Sequence, residues 1–306
     1  MGLAGDLERD DYDEFQFLQG HAEWAGLTWA GRPPVSRGSL DVDGRQVAFI
    51  RWGDNEPELV LLHGAGQNAH TWDTFAMAIG RPSIAVDLPG HGRSGWRDDR
   101  DYSPGTNALA VSAVVDAVAP AAAAIVGMSL GGLTTLRLSV LRPELVRAAT
   151  IVDITPGVKR ADDDGTPRPP VPMQLMRGAR SFESFEAILE ATHATMPHRT
   201  PESLIPGLRH NARRFDDGTW GWRYDELWRE DDPPREITHL WDDVEALKVP
   251  AMFVKGANSP VVTDEAIEEL ERRLPSARVE VVDGAGHAVQ NDKPRELAAL
   301  VDDFLR

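Results

Sequence analysis

Gly127-Met128-Ser129-Leu130-Gly131 lies between an apolar run, Ala121–Val126, and a helix-like run, Leu130–Leu141, with a further glycine at Gly132. Strand, tight turn and helix form the context in which a G-x-S-x-G pentapeptide presents a serine as a nucleophile. Such a turn forces the serine into a strained backbone conformation, so its neighbours must be nearly free of side chain. The serine then stands at a helix N-terminus, where the dipole favours developing negative charge. Alone, the pentapeptide fits an ordinary glycine-rich turn equally well, and the remaining chain has to decide between the two.

Working outward, strand and helix patterns alternate on both sides of this turn. Ser39–Val42 and Gln46–Trp52 flank Asp43-Gly44, a two-residue hairpin signal. Glu58–Leu62 reads as a buried strand ending at His63-Gly64-Ala65-Gly66, and Thr71–Ile79 as a helix. Ser83–Val86 is the next strand, closing on Asp87-Leu88-Pro89-Gly90-His91-Gly92-Arg93-Ser94-Gly95. Asn107–Val118 is helical, and Ala148–Asp153 is a strand. This rhythm is that of a mostly parallel sheet wound by helices on both faces, an α/β fold with every parallel strand's C-terminal end on one edge.

The rhythm breaks between Thr155 and about Ile237. Short helical patterns (Phe182–Thr192 and Ser203–Phe215) and residues such as Met173, Met176, Met196, Trp220, Trp222 and Trp228 predict a helical insertion lining an apolar pocket. The core pattern then resumes with Trp241–Leu247 as helix, Ala251–Val254 as strand, Thr263–Leu274 as helix, Arg278–Val282 as strand and Pro294–Leu305 as helix. Gly284-Ala285-Gly286-His287 lies between the last two. Ahead of the sheet, residues 1–38 carry an acidic patch followed by Phe15, Phe17, Trp24 and Trp29. That aromatic content predicts a docked, partly helical segment over Asp11–Ala25, because a disordered tail rarely holds so many aromatics. A dimer or substrate-gate contact is the functional alternative for this segment.

Composition narrows the chemistry. The 306 residues carry a formal charge of −17, which argues against a nucleic-acid partner and against adsorption to anionic membranes. There is no cysteine, so disulfides, thiolate catalysis and zinc–thiolate sites are excluded. No apolar run approaches the roughly 20 residues that cross a bilayer. The opening Met-Gly-Leu-Ala-Gly-Asp-Leu-Glu lacks a basic start and an apolar signal core, which predicts a cytoplasmic protein. His193, His198, His210 and His239 lack i, i+4 ligand partners, so no metal is expected.

Three loops on the same sheet edge carry reactive groups: Ser129 a hydroxyl, His287 an imidazole, and His63-Gly64-Ala65 a glycine-lined turn after a strand. Acyl transfer needs a nucleophile, a base of near-neutral pKa and backbone N–H donors for an oxyanion. The expected donors are the amides of Leu130, one residue past the nucleophile, and Ala65. Met128, Trp72, Trp220 and Trp222 are the residues expected to border substrate. His91 and Asp87 are expected to serve the tight loop in which they lie.

Taken together, His63-Gly64, the Asp87–Gly95 loop, Gly127–Gly132 and Gly284–His287 resemble the α/β-hydrolase superfamily in order and spacing, over essentially Ser39–Arg306. The resemblance implies an eight-stranded, mostly parallel sheet in a core of residues 39–154 and 238–306. It makes residues 155–237 the cap between sheet strands six and seven. It implies a serine hydrolase of the carboxylesterase or lactonase type, working on a small-molecule substrate without cofactor. One departure matters. The superfamily commonly carries its triad acid in a Gly-x-x-Asp pattern after the strand at Ala251–Val254, and here that pattern reads Gly256-Ala257-Asn258-Ser259. A neutral serine cannot stabilise an imidazolium. The alternative known in haloalkane dehalogenases and some lactonases, an acid ending strand six, points to Asp153, with Asp264 and Asp292 as the other candidates. The resemblance also admits a carbon–carbon bond hydrolase, a cofactor-free haloperoxidase, and a non-catalytic receptor of small molecules. A homodimer is open.

Overall fold

The computed structural model describes residues 12–157, 179–197, 199–226 and 239–306. Helix α1 (Leu18–Trp24) precedes an antiparallel hairpin of β1 (Val35–Val42) and β2 (Arg45–Trp52). Asp43 and Gly44 both take positive φ, 52° and 76°, the two left-handed positions that a hairpin turn of this length requires. Strand β1 starts at Val35, inside the segment assigned above to the N-terminal extension. There follow β3 (Leu59–Leu62), a 3₁₀ turn (Ala69–Trp72), α2 (Asp73–Ile79), β4 (Ser83–Val86), α3 (Pro104–Val118), β5 (Ala124–Met128), α4 (Leu130–Leu141) and β6 (Ala149–Val152).

After the insertion come α7 (Leu240–Ala246), β10 (Ala251–Gly256), α8 (Asp264–Arg273), β11 (Arg278–Val282), α9 (Val289–Asp292) and α10 (Pro294–Phe304). Eight strands form one sheet in the order β1-β2-β4-β3-β5-β6-β10-β11, antiparallel only in the pairs that involve β2. Strands β3 to β6 are buried along their whole length, as expected where helices cover both faces.

The period-2 alternation of β3 splits the core. Val60 and Leu62 join Val111 and Val115 of α3 and Leu133 and Leu136 of α4 on one side. Leu59 and Leu61 join Trp72, Phe75, Leu297 and Val301 on the other. Trp72 therefore belongs to the core and not to a substrate wall: it is fully buried, edge-on to Phe75 at 5.3 Å. The 3₁₀ turn brings the tryptophan under the body, where continuous α-helical spacing would have left its direction open.

Among the described residues of the insertion, α5 (Phe185–Thr195) and α6 (Pro201–Asn211) are accompanied by a three-stranded antiparallel sheet in the order β7-β9-β8. Its strands are β7 (Ser181–Phe182), β8 (Ala212–Arg214) and β9 (Trp220–Trp222). The cap is thus not purely helical. The helix expected to reach Phe215 stops at Asn211, and the chain turns back through Asp216-Asp217-Gly218-Thr219, with Gly218 at φ 88°. Trp220 is a second correction, being fully buried in the cap's own core beside Phe185, 5.5 Å between ring centres. Met173, Met176 and Trp228 lie outside the described residues.

The N-terminal segment ties body and cap together. Leu18 and Ala22 are buried against the body. Glu14 accepts hydrogen bonds from Arg37 at 2.6 Å and from His70 at 3.2 Å, while the Tyr12 hydroxyl meets Nδ1 of His210, on the cap helix α6, at 2.7 Å. Burial alone would raise the Glu14 carboxyl, but the His70 and Arg37 hydrogen bonds outweigh it and hold its pKa below the ordinary 4.5. A carboxyl depressed in the folded state stabilises fully above its unfolded pKa and loses that contribution as pH falls through the folded value. Glu14→Gln is expected to lower stability at pH 7 by about 1–3 kcal/mol, because Arg37 keeps its bond to Asp87. In urea melts the gap between wild type and variant should close as the pH falls well below 4.5.

Candidate active site

Four neighbouring strands end at the site. Ser129 follows β5, Asp153 follows β6, Ser259 lies shortly after β10, and His287 follows β11. Ser129 caps α4 with φ 50° and ψ −114°, a conformation that costs a non-glycine residue about 1–3 kcal/mol. The turn around it is held by its own N–H donating to Val152 O at 3.0 Å and by Leu133 N–H donating to Ser129 O at 3.0 Å. The flanking glycines are steric necessities. A Cβ on Gly127 would lie 2.2 Å from Gly131 O, and one on Gly131 would lie 2.2 Å from Leu62 O.

Asp153 also takes positive φ, 52°, and its side chain is fully buried. A buried carboxylate is costly unless every lone pair it presents finds a donor. Oδ1 accepts from Gly256 N–H at 2.9 Å. Oδ2 accepts from the Ser259 hydroxyl and from His287 Nδ1 at 2.7 Å. Ser259 thus occupies the position where the superfamily commonly has its acid, and its hydroxyl supports the acid that stands one strand away. With Nδ1–H committed to Asp153, Nε2 is the nitrogen of His287 left to accept a proton.

Ser129 and His287 face one cavity of about 2140 Å³, which Gly64, Ala65, Met128, Leu130 and Trp222 also line. Among the described residues neither the Ala65 nor the Leu130 amide donates a hydrogen bond, so both remain available to a ligand oxygen. The turn that carries Ala65 is fixed from both sides. Gly64 N–H donates to Gln67 Oε1 at 3.0 Å, and Asn211 of the cap donates from Nδ2 to Gly66 O at 3.1 Å. Asn68 Nδ2 in turn donates to Asn211 Oδ1 at 2.6 Å. That bridge from cap to turn has no local sequence signature, since an asparagine at a helix end reads as a terminator.

The remaining candidates bond to groups other than the His287 imidazole. Asp264 opens α8 with an exposed side chain paired to Lys255, and Asp292 accepts from Gly286 N–H at 2.8 Å. Asp87 binds the Ala69 and Arg93 amides at 2.6 and 3.0 Å and Arg37 at 2.8 Å. His63 is buried and donates from Nδ1 to Gly64 O at 2.7 Å while Nε2 accepts from Leu88 N–H at 2.9 Å. Burial pushes His91 down to about 3, so its imidazole stays neutral beside His63.

His70, Asp73 and His210 are buried and close enough to one another to be considered as metal ligands, a cluster that spacing along the chain does not reveal. The two imidazoles are stacked, 3.7 Å between centres and 11° between planes, so their in-plane lone pairs do not converge on a common point. His70 is also engaged at both nitrogens, by Asp73 at 2.9 Å and Glu14 at 3.2 Å. Burial opposes its charge, but Asp73 and Glu14 outweigh burial and hold its pKa above 6.5. His210 is driven well below 6.5 by burial. Stacked rings with both His70 nitrogens engaged suit a latch for the N-terminal segment better than a metal.

A serine on a strained turn, a histidine held by a buried carboxylate and a capped parallel sheet define a class, and the chain belongs to the alpha/beta hydrolase family, which matches residues 59–300. It is similar to the esterase Rv0045c of Mycobacterium tuberculosis, 43% identical over 300 residues and 98% of each chain. It is also similar to the sn-1-specific diacylglycerol lipase ABHD11 of Xenopus laevis, 29% identical over 81% of this chain and 80% of that one. A crystal structure of the M. tuberculosis esterase superposes with a TM-score of 0.82 at 41% identity, covering 96% of this chain and 98% of that one. No helix among the described residues is long and apolar enough to cross a membrane.

Ser259→Ala removes one donor from a buried carboxylate. We expect it to lower unfolding free energy by about 1–3 kcal/mol in urea titration, with Ser259→Thr, which keeps a hydroxyl, retaining part of the loss.

Proposed function

We propose that the chain is a serine hydrolase that cleaves carboxylic esters or lactones through an acyl-enzyme. The Ser129 hydroxyl attacks the carbonyl carbon while His287 Nε2 takes its proton, and the amides of Leu130 and Ala65 receive the oxyanion. His287 then protonates the leaving alkoxide, and water repeats the sequence on the acyl-enzyme to release acid and restore Ser129. Asp153 holds the imidazole in the required tautomer and offsets the imidazolium charge. The observation that carries this reading is the 2.7 Å bond between His287 and Asp153 beside a cavity that also receives Ser129. The esterase and lipase names of the relatives support the same bond type.

The rival readings fit less well. Ring-cleaving carbon–carbon hydrolases usually have asparagine where Met128 stands. Cofactor-free haloperoxidases usually keep the acid after the strand equivalent to β10, where this chain has Ser259. A receptor on the same fold can retain the three residues, and labelling at Ser129 together with ester turnover separates it from an enzyme. The acidic, cysteine-free chain supports a cytoplasmic location.

A fluorophosphonate probe is expected to label wild type and not Ser129→Ala, read by mass spectrometry. Unlabelled wild type that also fails to turn over p-nitrophenyl acetate would sink the enzyme reading. Asp153→Asn should lose about 10⁴ in kcat, whereas Asp264→Asn should stay near wild type in the same assay because its carboxylate is exposed and paired only to Lys255.

A further inference from the structure

Helix α1 turns one face to the body, a second to the cavity and a third, with Gln19 and Glu23, to solvent. Leu18 and Ala22 are buried in the body. Phe17, Gly20, His21 and Trp24, spaced i, i+3, i+4, i+7, line the cavity that holds Ser129 and His287. This spacing puts all four on one stripe of the helix. Trp24 is 66% exposed, a large apolar surface left uncovered by the protein itself. Burial lowers the pKa of His21, so the stripe carries no charge at neutral pH. Met196, Leu204 and Leu208 of the cap line the same cavity, as do Ala288 and Asn291.

We propose that α1 is the wall of a subsite for an extended alkyl chain of the ester, with Phe17, Gly20 and Trp24 setting how long a chain is accepted. The proposal rests on Ser129 acting as the nucleophile and deepens that reading by naming a substrate class and the residues that select it. The stripe, the cap residues and the reacting groups line one cavity, so a chain attached to the reacting carbonyl can reach this wall without leaving the site. Gly20 adds no side chain to this wall. A Cβ built there meets nothing within 4 Å, so larger side chains project into open space while the helix itself is unstrained. Each methylene buried against such a wall is worth about fourfold in binding.

The test compares kcat/KM across two series: p-nitrophenyl esters with acyl chains of two to fourteen carbons, and acetates of alkanols of two to twelve carbons. The first series places the chain on the acyl side and the second on the alcohol side. The preference for long over short chains should fall about tenfold or more in Gly20→Trp, and about fivefold in Trp24→Ala, in at least one series. Gln19→Ala, on the outer face where Gln19 bonds Glu23, should leave that preference as in wild type. A preference in Gly20→Trp within twofold of wild type in both series overturns the proposal, as does an equal loss at every chain length. Binding of octyl methyl ketone, an unreactive ester mimic, is measured by calorimetry and should weaken at least fivefold in both variants. Wild type that binds the ketone normally yet hydrolyses no ester would count against Ser129 chemistry and not against the wall. Unchanged ketone binding in both variants would count against the wall alone.

Discussion

The carboxyl group of Asp153, fully removed from water, is the constraint around which the site is assembled. Without donors it would cost several kcal/mol. The fold supplies them from separate elements: an amide at the end of β10, a hydroxyl from the loop beyond it and an imidazole from the loop after β11. Its own backbone N–H is fixed to Val254 O at 2.7 Å, so the carboxylate cannot move without disturbing the β6–β10 pairing. The strain at Ser129 depends on the same arrangement, since its N–H is tied to Val152, the residue preceding Asp153. Ser129 and Asp153 are therefore two ends of one register.

The parts of the fold that could be read in the chain were those set by local chemistry. Short apolar runs bounded by glycine or proline became β3 to β6 because burial on both faces demands them. Asp43-Gly44 made the hairpin because both positions need positive φ. The lack of a carboxylate at Ser259 turned attention to Asp153, and the structure brings that side chain to His287. What could not be read was direction. Trp72 and Trp220 had the right composition for a pocket, but a tryptophan's facing depends on a 3₁₀ turn in one case and on a cap sheet in the other. The Ser259 hydroxyl was visible as an absence and not as a donor. The Asn68–Asn211 bridge joins residues far apart in sequence, and nothing local marks either member.

The N-terminal segment and the cap share one attachment. Glu14 reaches Arg37 and His70 on the body, Tyr12 reaches His210 on α6, and His70 stacks on His210. One residue further along α6, Asn211 holds the turn that carries Ala65. The pose of the cap and the position of the Ala65 amide are thus set by neighbouring residues of one helix end, and the N-terminal segment is their clamp.

The arrangement of the four strands that deliver Ser129, Asp153, Ser259 and His287 also bears on how the molecule acquires its site. These strands lie side by side, yet β6 and β10 are separated along the chain by the entire cap. Their parallel pairing must close that long loop before any contact compensates the entropy lost. An intermediate with β1 to β6 in place would already present the strained serine, but it would lack every group that holds Asp153. Recovery of hydrolysis on refolding therefore reports the last stage of sheet formation, and a nascent chain is silent until β11 has joined its neighbour.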